Sequence, residues 1–187
     1  MFIRSERLFL RPGWPEDWEE LLTAINDQGV VRNLARAPWP YTMEHAMEFA
    51  ARQQDRMLPH FFITLPTCEG ARLIGSIGLG RTCGNGGDDI ELGYWIARSH
   101  WGHGYASEAA RGVLRLAEAL GHRRIISRHF ADNPAAGAVL AKAGFAPTGD
   151  RCLRFSAGRG EDVLAVDYAI ELGGSGTGDG DDMMRAA

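Results

Sequence analysis

Ser99-His100-Trp101-Gly102-His103-Gly104-Tyr105-Ala106-Ser107-Glu108-Ala109-Ala110 decides how this chain is read. It follows a strand-like run, Ile90-Glu91-Leu92-Gly93-Tyr94-Trp95-Ile96-Ala97. It opens an amphipathic helix with Ala106, Ala109, Val113, Leu116, Ala117 and Leu120 on one stripe. Two glycines one residue apart at a strand-to-helix turn let the backbone approach a ligand closely. The first helical turn aims unpaired N–H groups at that ligand, and its partial positive charge favours an anion. The expected tenant is a pyrophosphate. A lone G-x-G is common in turns that bind nothing, so the reading needs a second segment that agrees with it.

That segment is Asp132-Asn133-Pro134-Ala135-Ala136-Gly137-Ala138-Val139-Leu140-Ala141-Lys142-Ala143-Gly144-Phe145, after a strand candidate from Arg124 to Phe130. Asn133 is placed to cap a helix, Pro134 suits the first helical position and Gly144 closes it. Taken together, the two segments resemble the GNAT N-acetyltransferase superfamily. In that family a strand, a Q/R-x-x-G-x-G/A loop and a helix bind acetyl-coenzyme A. A later N-x-x-(A/S) helix ending in G-F flanks the pantetheine arm. The loop falls on Trp101-Gly102-His103-Gly104-Tyr105-Ala106, with Trp101 where the general pattern has Gln or Arg. The wording E-L-G-Y-W, W-G-x-G-Y-A-S-E-A and D-N-P-A resembles the branch that holds the ribosomal-protein N-terminal alanine and serine acetyltransferases. Ser5-Glu6-Arg7-Leu8-Phe9-Leu10-Arg11-Pro12 and Trp39-Pro40-Tyr41-Thr42 fit that branch too, and the resemblance runs from Ser5 to Glu171.

The resemblance implies an α/β GNAT fold. Its centre is a mixed, mostly antiparallel sheet of about six to seven strands, flanked by helices and splayed at the cofactor site. It implies one acetyltransferase domain over residues 1–172, and the Gly, Ser and Asp-rich stretch 173–187 reads as a disordered tail. Strands are expected at Phe2–Pro12, Phe61–Leu65, Arg72–Gly80, Ile90–Ala97, around Ile125, at Phe145–Phe155 and at Asp162–Glu171. Helices are expected at Trp14–Asn26, Val30–Leu34 and Thr42–Met57, besides the two already described. Cys83–Gly87 reads as a Gly-rich turn.

The implied donor is acetyl-coenzyme A. The residues placed against it are Trp95, Ile96, Ala97, Trp101, Gly102, His103, Gly104, Tyr105, Ala106, Ser107, Asn133 and Ala136. Glu91 falls where many related enzymes carry a glutamate that draws a proton from the acceptor amine through water. A desolvated carboxylate suits that task near neutral pH. Backbone N–H groups along Tyr94–Ala97 can stabilise the thioester oxygen where the strand splays. Related enzymes put a tyrosine or serine on the short helix as general acid; here Leu140 and Ala136 hold those positions. A thiolate, of reference pKa about 8.5, leaves tolerably without one. Tyr94 and Ser107 are the stand-ins. Trp39 and Tyr41 are expected to line the amine's approach, while Phe61 and Phe62 read as packing.

The acceptor implied is a protein N-terminus, such as that of a ribosomal protein. A terminal amine has a reference pKa of about 7.7–8.0 against about 10.4 for lysine, so it needs less help from a base. Small amines (a polyamine, an amino acid, an antibiotic) and a non-catalytic acyl-coenzyme A sensor are the rival readings. A Rossmann dinucleotide domain fits worse, because Ser107 holds its third glycine position and the motif sits late in the chain. Bulk properties narrow the field further. The 187 residues carry a net charge of -4, which offers no basic footprint for nucleic acid. Cys68, Cys83 and Cys152 form no C-x-x-C pair, so no metal site and a reducing cytoplasmic home are expected. Neither a membrane-spanning run nor a signal peptide is seen. The state expected is a monomer or homodimer.

Overall fold

A computed structural model of the chain describes residues 1–82 and 89–173. The expected turn at Cys83–Gly87 and the tail beyond Gly173 lie outside the described residues. The strands are β1 (Ile3–Arg4), β2 (Phe9–Arg11), β3 (His60–Thr67), β4 (Gly70–Arg81), β5 (Ile90–Ile96), β6 (Arg124–Phe130), β7 (Ala146–Ser156) and β8 (Glu161–Glu171). The helices are α1 (Trp18–Ile25), α2 (Gln28–Val31), α3 (Met43–Ala50), α4 (Tyr105–Ala119) and α5 (Pro134–Ala143). All eight strands join one sheet in the order β1-β2-β3-β4-β5-β6-β8-β7. Every neighbouring pair is antiparallel except β5 and β6.

The count exceeds six to seven because Phe2–Pro12 is not one strand. It folds into the β1–β2 hairpin, whose turn is closed by the Ser5 N–H donating to the Leu8 carbonyl at 3.0 Å. α3 also stops at Ala50 rather than Met57. Past it the chain is held by side chains instead: Asp55 accepts the Met57 and Leu58 N–H groups, and Gln54 accepts that of His60. α2 begins at Gln28, two residues before the expected Val30, because Asp27 caps it by accepting from Gly29 at 2.7 Å and Val30 at 3.3 Å.

The central strands bury both faces, while much of the β7–β8 edge stays exposed. Against one lie α4 and α5, with Leu10, Phe61, Ile63, Ile77, Leu92, Val113, Ile125 and Leu140 packed together. Against the other lie α1 to α3, with Leu21, Ile25, Val31, Ala46, Phe62 and Trp95. Alternation along β5 sorts its side chains between the two: Leu92 and Ile96 point to α4, Trp95 to α1. Full burial of each large apolar side chain contributes about 1.5–3 kcal/mol, so these two layers hold the sheet rigid beneath the site.

Candidate active site

The link from β5 to α4 sets the first wall. Gly102 and Gly104 both adopt positive φ, 79° and 80°, in the left-handed region where other residues are strained. Gly104 is the N-cap of α4 and supplies no side-chain cap, so the first-turn N–H groups of Tyr105, Ala106 and Ser107 have no capping partner. A Cβ built on Gly102 would meet nothing within 4 Å, so the loop's surface is open. The Trp101 indole donates to the Ile96 carbonyl at 2.7 Å and ties the loop to the end of β5. His103 turns Nδ1 to the Trp101 carbonyl at 2.8 Å and stacks its ring on Tyr105. Ser107 is buried, with Oγ 3.5 Å from the Val139 carbonyl, so its side chain faces α5 and only its backbone faces the loop.

The second wall comes from a parting of strands. β5 and β6 pair at only two positions, Ile90 with Ile125 and Glu91 with Ile126. Beyond them the Ser127 hydroxyl donates to the Leu92 carbonyl at 2.8 Å, a side chain standing in for a ladder bond. β6 then runs on beside β8 while β5 stays with β4. On β5 the Ala97 N–H is spent on the Ile74 carbonyl at 2.8 Å. Antiparallel alternation gives the Trp95 N–H to β4 as well. The Tyr94 and Ile96 N–H groups therefore face the side that β6 has left. Of the residues set against the donor, Trp95 buries its side chain in the α1–α3 layer, and Ile96 offers the donor group.

Glu91 lies where the strands part, on the α1–α3 side of the sheet. It is not isolated in apolar surroundings. Arg128 brings Nη1 to 3.4 Å from its Oε1, and the same guanidinium donates through Nε to Asp167 at 3.0 and 3.1 Å. Arg128 Nη1 is buried, and the long contact to Glu91 is the nearest thing it has to a partner. The β6–β8 register makes this pairing, because Arg128 sits opposite Asp167. Nothing in a single sequence shows that a residue 37 positions past Glu91 would stand beside it.

Tyr94 crosses the gap on the other face. Its hydroxyl donates to the Ala136 carbonyl at 3.2 Å, and burial pushes its phenol well above the usual range. Both facts make it a poor proton donor. Asn133 caps α5 by accepting the Ala136 N–H at 3.4 Å, and Leu140 is fully buried in the core. Among the described residues no cluster of His, Cys, Asp and Glu has the arrangement of a metal site.

Toward the acceptor, Trp39 and Tyr41 part company. Tyr41 is 7% exposed, donates to the His45 carbonyl at 3.2 Å and has a phenol raised by burial to about 12. It is a core residue and lines no approach. Phe61 and Phe62 are fully buried, as packing residues are. Trp39 is exposed and lines a groove of 1060 Å³ with Asp27, Arg32, Arg98, Arg159 and Glu161. The far side of this groove is a bridge. The Ala157 N–H donates to the Ala35 carbonyl at 2.9 Å, Ser156 Oγ to Leu34 at 3.3 Å and Arg159 Nε to Arg32 at 2.7 Å. Asp132 clamps Arg32 and Arg159 from below at 2.8–2.9 Å. Arg98, on the near side, stands 6.0 Å from the Trp101 ring, so groove and donor loop share a wall.

A parted parallel strand pair beside a glycine loop at a helix N-terminus defines a class, and comparison agrees with it. Residues 7–146 match the family model described as Acetyltransferase (GNAT) domain, and the chain belongs to that family. It is 30% identical over 152 residues to the uncharacterized N-acetyltransferase YoaA of Bacillus subtilis (strain 168), spanning 79% of this chain and 84% of that one. Among solved structures, a GNAT-family acetyltransferase from Bacillus anthracis superposes with a TM-score of 0.73 at 25% identity, over 91% of this chain and 98% of that one. The microcin C7 self-immunity acetyltransferase MccE, in complex with acetyl-CoA and AMP, shares the fold with a TM-score of 0.72 at 16% identity, over 89% and 93%. The protein is an acetyl-CoA-dependent acyltransferase of this family.

Proposed function

We propose that this enzyme moves the acetyl group of acetyl-CoA to the free α-amine of a peptide or protein chain. The observation that carries the reading is the parting of β5 from β6 after Glu91, directly upstream of the Gly102–Gly104 loop. A thioester laid in that gap meets the outward N–H groups of Tyr94 and Ile96, while its pyrophosphate meets the first turn of α4. In this reading Ile96, Trp101, Gly102, His103, Gly104, Tyr105 and Ala106 face the donor with Asn133 and Ala136 opposite, while Ser107 contributes its backbone and the Trp95 side chain packs away from it.

The acceptor amine must be neutral to attack the thioester carbon. Glu91 takes its proton through water, and Arg128 with Asp167 fixes the carboxylate in place. The C–N bond forms, the C–S bond breaks and coenzyme A leaves as a thiolate that water protonates. The oxyanion of the intermediate rests on the backbone N–H groups of β5. Tyr94, held by Ala136, orients α5 and is not assigned the acid.

The bridge between 32–35 and 156–159 supports a chain end as acceptor. A terminus can enter a groove closed on one side, whereas a lysine must bring a continuous chain past the obstruction. The exposed Trp39 gives the entering residue an apolar surface. A small amine is the second reading, since the groove also admits a compact ligand. The test is competition. N-terminally free and N-terminally blocked lysine peptides are offered together with a polyamine, and the acetyl group is located by mass spectrometry. Label on the free terminus is expected; label confined to lysine or polyamine overturns the acceptor assignment and leaves the acetyltransferase intact.

A further inference from the structure

We propose that Arg7 is the positioning residue of the donor site: it neutralises Glu108 and holds the Gly102–Gly104 loop in its binding shape. This rests on the donor reading above. Glu108 stands in the first turn of α4, at the end that would receive a pyrophosphate, and it is only 6% exposed. A bare carboxylate there repels the phosphate that the helix end attracts. It is not bare. The Arg7 backbone N–H donates to Oε1 at 2.8 Å, Ser5 Oγ to the same oxygen at 2.7 Å, and the Arg7 Nε to Oε2 at 2.8 Å. Arg7 Nη2 closes on Oε2 at 2.7 Å. Burial would lift the carboxyl, but these hydrogen bonds and the adjacent cation hold it below the usual range.

The other edge of the same guanidinium reaches the loop. Nη1 donates to the His103 carbonyl at 3.0 Å, the residue between the two positive-φ glycines. The group lies 4.7 Å from the centre of the Tyr105 ring, which itself stacks on His103. Nη2 is 3.6 Å from the point where a Cβ on Gly104 would stand. One side chain thus touches the first turn of α4, the loop carbonyl and the aromatic pair that flanks it. Its remaining surface is open to solvent. A lysine could offer the charge but not the two-edged fork. The β1–β2 hairpin turn supplies Ser5 and Arg7 together, so that turn serves the donor site from outside the cleft.

The test compares two donors. Acetyl-CoA carries the pyrophosphate; S-acetylpantetheine carries the thioester without it. Arg7→Met is expected to raise the Kd for acetyl-CoA, read by calorimetry, about tenfold, the effect of one charge-assisted contact. Turnover at saturating acetyl-CoA and kcat/KM with S-acetylpantetheine are expected to stay near wild type. Adding Glu108→Gln to Arg7→Met removes the negative charge that Arg7 no longer offsets and should recover part of the affinity. If Arg7→Met is too unstable to titrate, Arg7→Lys is read in its place, with a smaller loss on acetyl-CoA and none on S-acetylpantetheine. Unchanged acetyl-CoA affinity, or equal loss on both donors, overturns the proposal. Wild-type protein that binds no acetyl-CoA would instead bring down the donor reading on which it rests.

Discussion

Replacing Gly104 by valine should divide its cost between folding and donor binding, and the division can be measured. The residue sits at φ 80° as the N-cap of α4. A β-branched side chain in this region costs about 1–3 kcal/mol. Space is not the obstacle, since the new Cβ meets only Arg7 Nη2 at 3.6 Å. If the loop keeps its shape, the cost appears as stability. For a chain of this size each kcal/mol lowers Tm by about 2–4 °C, so a loss of about 2–12 °C is expected. If the loop instead relaxes to negative φ, the first-turn N–H groups turn away from the pyrophosphate. The cost then appears as a rise in the acetyl-CoA Kd of about 5- to 150-fold. Calorimetry and thermal denaturation on one preparation give both parts. Gly70 provides the control, with φ 125° in the β3–β4 turn and open space around it. Gly70→Val should lower Tm and leave donor affinity alone. A Gly104→Val protein that melts and binds as wild type does would refute the claim that this conformation shapes the site.

Glu91→Gln should lower turnover by about 10²–10⁴-fold with donor affinity intact, and the deficit should narrow at high pH, where more of the amine is already neutral. Tyr94→Phe should keep most turnover, because the hydroxyl is committed to Ala136; its loss is expected to cost about 0.5–1.5 kcal/mol in urea denaturation. His60 is half-buried, with Nε2 2.6 Å from Ser76 Oγ, and desolvation, helped by Arg52, lowers its pKa from 6.5 to about 4. Between those values the unfolded chain binds a proton that the native protein refuses. Stability from this group is complete above pH 6.5 and drains as pH falls toward 4. Denaturant midpoints across that window should drop less for His60→Gln than for wild type.

The parts of the fold that could be read from sequence are those fixed by neighbours along the chain. Asn133, Pro134 and Gly144 bound α5 within one residue, because caps and φ preferences are local chemistry. The glycine loop and the start of α4 were legible for the same reason. The hairpin in Phe2–Pro12 was not, since its turn is stabilised by Glu108, about a hundred residues away. Tyr41 looked like a site residue from its setting among prolines, and only the packing of α3 shows it facing inward. Glu91 was legible as a candidate, but its partner Arg128 is placed by the registers of β5, β6 and β8 together. Electrostatics at this site is tertiary, and the bridge made by Ala157 and Ala35 is equally so.

The short seam between β5 and β6 has a consequence for the molecule as a whole. Five strands lie on one side of it and three on the other, and the backbone ladder across it is two residue pairs long, reinforced by the Ser127 hydroxyl and by side-chain contacts of Arg128 with Glu91 and Arg124 with Asp89. A donor lying in the opening, as proposed above, would touch both halves and take the place of the missing ladder bonds. It binds the folded protein and not the unfolded one, which adds stability of RT ln(1 + [L]/Kd), about 2.7 kcal/mol at a hundred times Kd. The supply of acetyl donor would then set part of the folded chain's stability as well as the enzyme's turnover.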